Sequence, residues 1–160
     1  MAGKKLTHID NAGRPKMVDV TAKADTSRVA VAKGIVKMQA ATFKTIKQGG
    51  MAKGDVLGVA KLAGIMAAKK TPELIPLCHP LLIGKVDIEF KLNASDNTIE
   101  IASTVESTGK TGVEMEALTA VSVTALTIYD MCKAIDRGMK IENIRLIKKS
   151  GGKSGTIELE

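Results

Sequence analysis

The sequence predicts an α+β fold in which helices pack on one face of an antiparallel sheet. Residues 84–92 alternate between apolar and charged side chains, which is the pattern of a strand with one buried face. The turn Ser95-Asp96-Asn97 separates this run from a second one, so 84–106 is expected to form a β-hairpin. Residues 112–136 are apolar around most of a helical circumference, as in a helix that is buried on several sides.

The rest of the chain supplies the other elements in order. Residues 28–38 alternate imperfectly and are predicted to form the first strand. Helices are predicted at 40–48 and at 54–69, where Asp55 is placed to cap the first turn. Residues 141–148 form the last predicted strand. The resulting order β-α-α-β-β-α-β is close to the ferredoxin-like pattern.

The length of the chain favours one domain. A chain of 160 residues is expected to fold as a single unit spanning 1–160, with residues 1–16 as a loosely ordered N-terminal arm. The start of the sequence is polar and lacks the apolar segment of a signal peptide. No run of about eighteen apolar residues occurs that could span a membrane. A cytoplasmic protein with no membrane association is therefore expected.

The composition narrows the range of ligands. Aromatic residues make up only 2% of the chain, which leaves few rings for stacking nucleic-acid bases. The net charge of +7 suits an anionic ligand such as a nucleotide, although many basic proteins bind none. Cys78 and Cys132 form neither a disulfide framework nor a metal-ligand spacing, and no dinucleotide-binding fingerprint occurs. Neither a metal nor a cofactor is expected.

One histidine stands in a restrained segment. His79 lies between Pro76 and Pro80, and prolines limit the backbone on both sides of it. A histidine on such a rigid mount could act as a general acid or base, or bind substrate. It could equally be a structural histidine that donates to a backbone carbonyl.

A glycine-rich turn, Gly109-Lys110-Thr111-Gly112, precedes the longest predicted helix. Glycines let backbone N–H groups approach an anion, and a helix N-terminus attracts negative charge. The turn is not a P-loop, because Thr104 stands where the first glycine is required. Glu114 and Glu116 follow in the first helical turn, where they either serve a site or complement the helix dipole.

Asp130 and Lys133 are three residues apart near the end of the same predicted helix and therefore share a face. They form either a surface ion pair or an acid–base couple. Glu114 and Asp130 are 16 positions apart, or roughly 24 Å along a helix at about 1.5 Å per residue. If both serve one site, they must come from different subunits of a symmetric oligomer, paired through antiparallel long helices.

Three further cations are candidates for contact with an anionic substrate. Lys53 follows the sequence Gly49-Gly50-Met51-Ala52, which favours a flexible loop before a helix. Arg28 begins the first predicted strand, and Lys149 follows the last one. Judged singly, each is more often a solvated side chain than a ligand-binding one.

Nine short motifs, spread over nearly the whole chain, carry a family resemblance. They are residues 6–9, 17–20, 53–56, 63–65, 67–69, 74–81, 108–120, 126–134 and 149–155. Each fragment is weakly specific, but their common order is highly specific. Together they resemble the MoaC family, the cyclic pyranopterin monophosphate synthases of molybdenum-cofactor biosynthesis.

The resemblance implies an enzyme with a small-molecule substrate. It implies that 3′,8-cyclo-7,8-dihydro-GTP is converted to cyclic pyranopterin monophosphate with release of pyrophosphate. It also implies a ferredoxin-like subunit that assembles as a hexamer, a trimer of dimers, with active sites between subunits. Neither a nucleic acid nor a membrane is expected as a partner.

The resemblance further implies a role for individual residues, and the chain shows no departure from the family's pattern at these positions. The implied catalytic residues are Asp130, Lys133 and Lys53. The implied substrate-binding residues are Leu77, Cys78, His79, Glu114, Met115, Glu116, Lys149 and Arg28.

Two other hypotheses remain at the level of sequence. A non-catalytic nucleotide- or RNA-binding module of the same fold is the main alternative, and the paucity of aromatic residues counts against it. A structural oligomer without a small-molecule site is the other, and it predicts that nucleotides cause no shift in melting temperature.

Overall fold

A computed structural model describes residues 6–49 and 54–160. The predicted order of elements is confirmed, with a short helix α3, a 3₁₀ turn and a two-residue strand β5 in addition. The elements are β1 (Thr26–Lys37), α1 (Ala40–Lys47), α2 (Val56–Lys69), α3 (Thr71–Leu74), β2 (Ile83–Asn93), β3 (Thr98–Gly109), α4 (Glu114–Cys132), β4 (Lys140–Ser150), the 3₁₀ turn Gly152–Ser154 and β5 (Ile157–Glu158).

The sheet has five strands in the order β2-β3-β1-β4-β5, and every neighbouring pair is antiparallel. The first four of these follow the ferredoxin-like arrangement, so the predicted fold class is confirmed. The predicted hairpin is β2 and β3. Its turn includes Asn97, which adopts a positive φ of 56°, a conformation that asparagine tolerates better than most residues.

Helices α2 and α4 pack on one face of the sheet, which we call the covered face. Small residues of β1 make room for α4: Ala30 and Ala32 are fully buried, and a Cβ on Gly34 would lie 2.7 Å from Val121 Cγ1. The opposite face, which we call the open face, carries the charged positions of the alternating strands. The covered face therefore holds the core.

The two long helices approach each other closely because small residues lie between them. A Cβ on Gly64 of α2 would lie 2.1 Å from Thr124 Oγ1 and 2.9 Å from the Ala120 carbonyl oxygen of α4. The β-branched residues of α4, which weaken its own helical propensity, are thus held by tertiary packing.

The sequence placed the end of the long helix too late. It predicted 112–136, whereas α4 ends at Cys132. The backbone N–H groups of Ile135 and Asp136 both donate to the Cys132 carbonyl, so residues beyond Cys132 form a turn rather than another helical turn. The predicted cap of α2 is confirmed: Asp55 accepts a hydrogen bond from the Gly58 N–H at 2.9 Å.

The described part of the predicted arm, residues 6–16, lies mostly exposed on the surface. Asp10 organises a turn there by accepting from the backbone N–H groups of Ala12 and Arg14. Residues 1–5 of the arm lie outside the described residues. None of the helices in the described segments is both long and apolar enough to cross a membrane.

Candidate active site

A cavity of about 640 Å³ opens where β1 begins, β3 and β4 end, and α4 starts. We call it the cationic cavity, because five of its lining residues carry positive charge and one, Glu114, carries negative charge. Its size is typical of a small-molecule site. The cationic lining residues are Lys23, Arg28, Lys110, Lys149 and Lys153.

Lys149 reaches the cavity because of an irregularity in the sheet. The pairing of β1 with β4 shifts register between Val31 and Ala32, which is the effect of one extra residue in β4. The shift places Lys149 opposite Ala30 and hence on the covered face. There its Nζ lies 2.5 Å from Glu114 Oε1, and both side chains are about one-quarter exposed (29% and 25%).

Arg28 joins the two glycine turns that border the cavity, residues 109–112 and residues 151–155. Its Nε and Nη2 donate to the carbonyls of Gly109 and Lys110, each at 3.3 Å. Its guanidinium lies against the second turn so closely that a Cβ on Gly152 would be 1.9 Å from Nη1. The neighbouring Gly151 has a φ of 103°, and a Cβ there would lie 2.1 Å from the Ser27 carbonyl oxygen, so glycine is required at that position. Part of the hydrogen-bonding capacity of Arg28 is used by the chain itself.

Lys110 also has backbone partners. Its Nζ donates to the carbonyls of Thr21 at 2.7 Å and Lys23 at 2.9 Å. These bonds fasten the segment before β1 against the glycine turn that precedes α4. They bring Lys23 to the cavity wall, although Lys23 is far from that turn in sequence.

His79 has a backbone partner of the kind that the structural hypothesis predicted. Its Nε2 lies 2.8 Å from the Val18 carbonyl oxygen, so this nitrogen carries the proton and donates. The nearby Asp19 carboxyl has a lowered pKa, first because the Thr21 backbone N–H donates to it, with smaller effects of Lys16 and His79.

Cys78 and Glu116 are two titratable residues that interact electrostatically near the start of α4. Glu116 is only 2% exposed, and burial raises the pKa of its carboxyl, with a further contribution from the charge of Glu114. Burial also raises the pKa of the Cys78 thiol, as does the charge of Glu116. Both groups therefore favour their protonated forms more than they would in water.

The structure brings only some of the predicted substrate-binding residues together. Arg28, Glu114 and Lys149 line the cationic cavity, whereas five others do not. Those five lie on α4 or on the segment before β2: Leu77, Cys78, His79, Met115 and Glu116.

Asp130 and Lys133 lie at the other end of α4. Lys133 Nζ is 2.6 Å from Asp130 Oδ1, and the two side chains are 54% and 62% exposed. Hydrogen bonding to Asp130 raises the pKa of Lys133 above its ordinary value. Since α4 is continuous from Glu114 to Cys132, Asp130 lies roughly 24 Å from Glu114 at about 1.5 Å per residue. Lys53 lies outside the described residues.

No group of three or more His, Cys, Asp or Glu residues that could hold a metal ion occurs in 6–49 and 54–160. The candidate site thus consists of an anion-compatible cavity at one end of α4 and an exposed acid–base pair at the other end.

The comparison with protein families decides the ancestry of the chain. The model described as the MoaC family matches residues 17–152. The chain belongs to the MoaC family. The match includes every predicted site residue and both ends of α4, and it stops inside the glycine turn that follows β4.

Curated relatives of this MoaC-family chain match it over nearly their full length. Proteins named cyclic pyranopterin monophosphate synthase are similar to it in three bacteria. The one from Parvibaculum lavamentivorans is 61% identical over 97% of each chain. The one from Heliobacterium modesticaldum is 62% identical over 94% of each. The one from Desulforamulus reducens is 63% identical over 94% of this chain and 92% of its own.

Sequence reasoning assigned no binding role to three lysines of the cationic cavity. Lys23, Lys110 and Lys153 line it, but none was a predicted binding residue, although Lys110 lies in the glycine turn 109–112 that the sequence singled out. Lys153 sits in the glycine turn Gly151-Gly152-Lys153-Ser154-Gly155, and that signal could have found it. Lys23 carries no local signal, because it reaches the cavity only through the contacts that Lys110 makes with its segment.

Proposed function

We propose that the chain is a cyclic pyranopterin monophosphate synthase, which converts 3′,8-cyclo-7,8-dihydro-GTP to cyclic pyranopterin monophosphate and releases pyrophosphate in molybdenum-cofactor biosynthesis. The observation that carries the proposal is the full-length similarity, at about 60% identity, to proteins of that name. Because the substrate derives from GTP, we infer that the reaction takes place in the cytoplasm.

The cationic cavity supports this proposal by its charge. A triphosphate needs several positive groups, and five cationic residues line a cavity of about 640 Å³. Positive charge held there in advance stabilises the charge that develops on a departing pyrophosphate and on a forming cyclic phosphate. We therefore assign substrate binding to Arg28 and Lys149 beside Glu114, with Leu77, Cys78, His79, Met115 and Glu116 contacting the remainder of the substrate.

The pair Asp130–Lys133 supplies proton transfer in this proposal. Opening and rebuilding a purine ring requires groups that accept and return protons. A carboxylate in direct contact with an ammonium group, at 2.6 Å, can do both when the substrate lies beside it. We assign catalysis to this pair and to Lys53.

We propose that a second copy of the chain completes each site. The two halves of the candidate site lie roughly 24 Å apart on one helix, and α4 exposes apolar side chains between them, with Leu126 56% and Met115 36% exposed. Helix α2 adds further exposed apolar residues: Val59, Leu62 and Met66. Antiparallel pairing of two α4 helices would cover these residues and place Asp130 of one copy near Glu114 of the other. Three such dimers would form a hexamer.

The sheet gives no support to the alternative of an RNA-binding module. Such modules stack bases on aromatic rings of an exposed sheet face. The chain has three aromatic residues: Phe43 lies in α1 and Tyr129 in α4, while Phe90 pairs with Ile101, whose side chain is buried on the covered face. The open face therefore offers no ring.

The test is a turnover assay combined with subunit mixing. Purified wild type receives freshly prepared 3′,8-cyclo-7,8-dihydro-GTP, and pyrophosphate release and oxidised pterin fluorescence are followed. Asp130→Asn and Lys149→Met are then assayed singly and after mixing under conditions of subunit exchange. If each site takes one end of α4 from each subunit, random mixing restores about a quarter of the sites.

The outcomes separate the parts of the proposal. Folded wild type without turnover would overturn the synthase activity. Turnover by wild type, with no recovery in an equimolar mixture that has demonstrably exchanged subunits, would overturn the shared site and leave the activity in place. A wild-type monomer with full activity would do the same.

A further inference from the structure

Asp136 is a buried carboxylate to which the proposed reaction assigns no role. It is 1% exposed, and four groups donate hydrogen bonds to it. Oδ2 accepts from the Gln39 backbone N–H at 2.8 Å and from the Thr42 hydroxyl at 3.2 Å. Oδ1 accepts from the Gly138 N–H at 3.1 Å and from the Gln39 side-chain amide at 3.3 Å. Such complete satisfaction of a buried acid fixes its surroundings firmly.

The donors tie Asp136 to the start of α1. Helix α1 begins after Gln39, which makes no side-chain cap of its own, and the first turn contains no acidic residue. Asp136 supplies the missing negative charge from a position 97 residues along the chain. Since a carboxylate at a helix start stabilises and orients that helix, the orientation of α1 depends on Asp136.

The same carboxylate is tied to the end of α4. Asp136 follows Lys133 by three residues, and its N–H donates to the carbonyl of the buried Cys132 at 3.1 Å. The hydroxyl of Tyr129 donates to the Arg137 carbonyl at 3.2 Å. The turn that carries Lys133 is therefore held from both sides, by α4 itself and by α1 through Asp136.

We propose that Asp136 is a positioning residue for the acid–base pair Asp130–Lys133. It anchors the turn after α4 to the start of α1. The inference rests on the proposed function, because it assigns the effect of Asp136 to residues proposed there as catalytic. It adds a residue that contacts no substrate and acts through the placement of others.

A positioning role predicts a loss of turnover without a loss of binding. A displacement of catalytic groups by about 1 Å costs as much as about 10²-fold in rate, while phosphate binding is assigned to the cationic cavity, which in the proposed dimer the other copy contributes to the same site. Asp136→Asn keeps the shape but replaces one acceptor oxygen by a donor. We expect kcat to fall by about 10- to 10²-fold, with KM and the affinity for inorganic pyrophosphate within about twofold of wild type.

Matched variants distinguish positioning from stability. Thr42→Val removes one donor to Asp136 at nearly constant volume, whereas Thr42→Ser keeps it. We expect the valine variant to lose kcat and the serine variant to retain it. Ile46→Val, in the buried face of the same helix, weakens the packing of α1 without touching Asp136 and should leave kcat within about twofold of wild type.

The experiment is steady-state kinetics on the oligomeric full-length variants, with pyrophosphate affinity measured by calorimetry. No turnover by wild type would overturn the proposed function rather than this inference. Wild-type turnover with kcat of Asp136→Asn equal to that of Ile46→Val would overturn the positioning role, as would a parallel loss of pyrophosphate affinity. If Asp136→Asn fails to fold, the Thr42 pair decides: equal kcat in the valine and serine variants rejects the inference.

Discussion

The two ends of α4 differ in how much of their surroundings one chain supplies. At the N-terminal end, Glu114 is 25% exposed and bonded to Lys149, and two glycine turns are fastened around it by Arg28. At the C-terminal end, the side chains of Asp130 and Lys133 are 62% and 54% exposed. The chain prepares the anion-binding half of the proposed site in advance and leaves the proton-transfer half open.

The difference has a physical rationale. Holding a highly charged phosphate requires several cations kept close together against their own repulsion, which the rigid turns and the sheet provide. An exposed ion pair adds little to the stability of a fold, so Asp130 and Lys133 gain strength only when something covers them and lowers the local dielectric. In the proposed dimer, the partner's helix is what covers them.

The largest expected effect is on catalysis by Asp130, at the C-terminal end of α4. Asp130→Asn removes the proton acceptor of the pair, and we expect kcat to fall by about 10²- to 10⁴-fold. Because the side chain is exposed, the melting temperature should remain close to that of wild type. Pyrophosphate release measured at saturating substrate, with circular dichroism as the folding control, checks both expectations. A kcat within about tenfold of wild type would show that Asp130 is not the acid–base group.

The next effect concerns substrate affinity at the cationic cavity, at the N-terminal end of α4. Lys149→Met removes a charge-assisted contact worth about 1.5–3 kcal/mol, so KM should rise by roughly 10- to 100-fold. Lys148→Met is the matched control: Lys148 is the preceding residue, but it pairs with Val31 on the open face and bonds Glu158. Equal KM changes in the two variants would argue against the cavity as the phosphate site.

A smaller effect should appear in the pH dependence of stability. Burial raises the pKa of Glu116 above its ordinary 4.5 in the folded state. Between these two pKa values the folded chain binds more protons than the unfolded chain, so this residue makes stability fall as pH rises. The substitution Glu116→Gln removes this titrating group and therefore its pH-dependent decrease in stability.

Thermal unfolding of both proteins between about pH 4 and pH 8 measures this linkage. The melting temperature of Glu116→Gln minus that of wild type should increase as pH rises above the ordinary pKa, and then level off above the raised one. A difference that does not change with pH would mean that the Glu116 carboxyl is not destabilised by its burial.

The smallest effect is the contribution of the Asp130–Lys133 pair, at the C-terminal end of α4, to the stability of the chain. Lys133→Met should change the melting temperature by no more than about 2 °C, as for exposed ion pairs generally. Lys149→Met should lower it further, because it leaves the half-buried Glu114 without its cation. Differential scanning calorimetry compares the two. A larger fall in melting temperature for Lys133→Met than for Lys149→Met would mean that the Asp130–Lys133 pair contributes substantially to the stability of the fold.

Several parts of the candidate site could be found from sequence because their signals are local. The glycine turn before α4 and the spacing of Asp130 and Lys133 are visible in the printed residues. The partners of His79 and Asp136 are not, since Val18 and Gln39 lie 61 and 97 residues away from them. Contacts across such separations depend on how the elements pack, and no spacing rule gives them.

The sequence by itself determined the order of the elements, the ferredoxin-like class and the distance between the ends of α4, because side-chain periodicity and helical rise are local properties. The family resemblance named Lys149, but only the tertiary structure gives the physical reason why this lysine of β4 faces the cavity. Without the register shift beside Val31, Ala30 would pair with Lys148 rather than with Lys149. A shift of one residue exchanges the two faces of a strand, and it arises from strand pairing, which only the folded chain possesses.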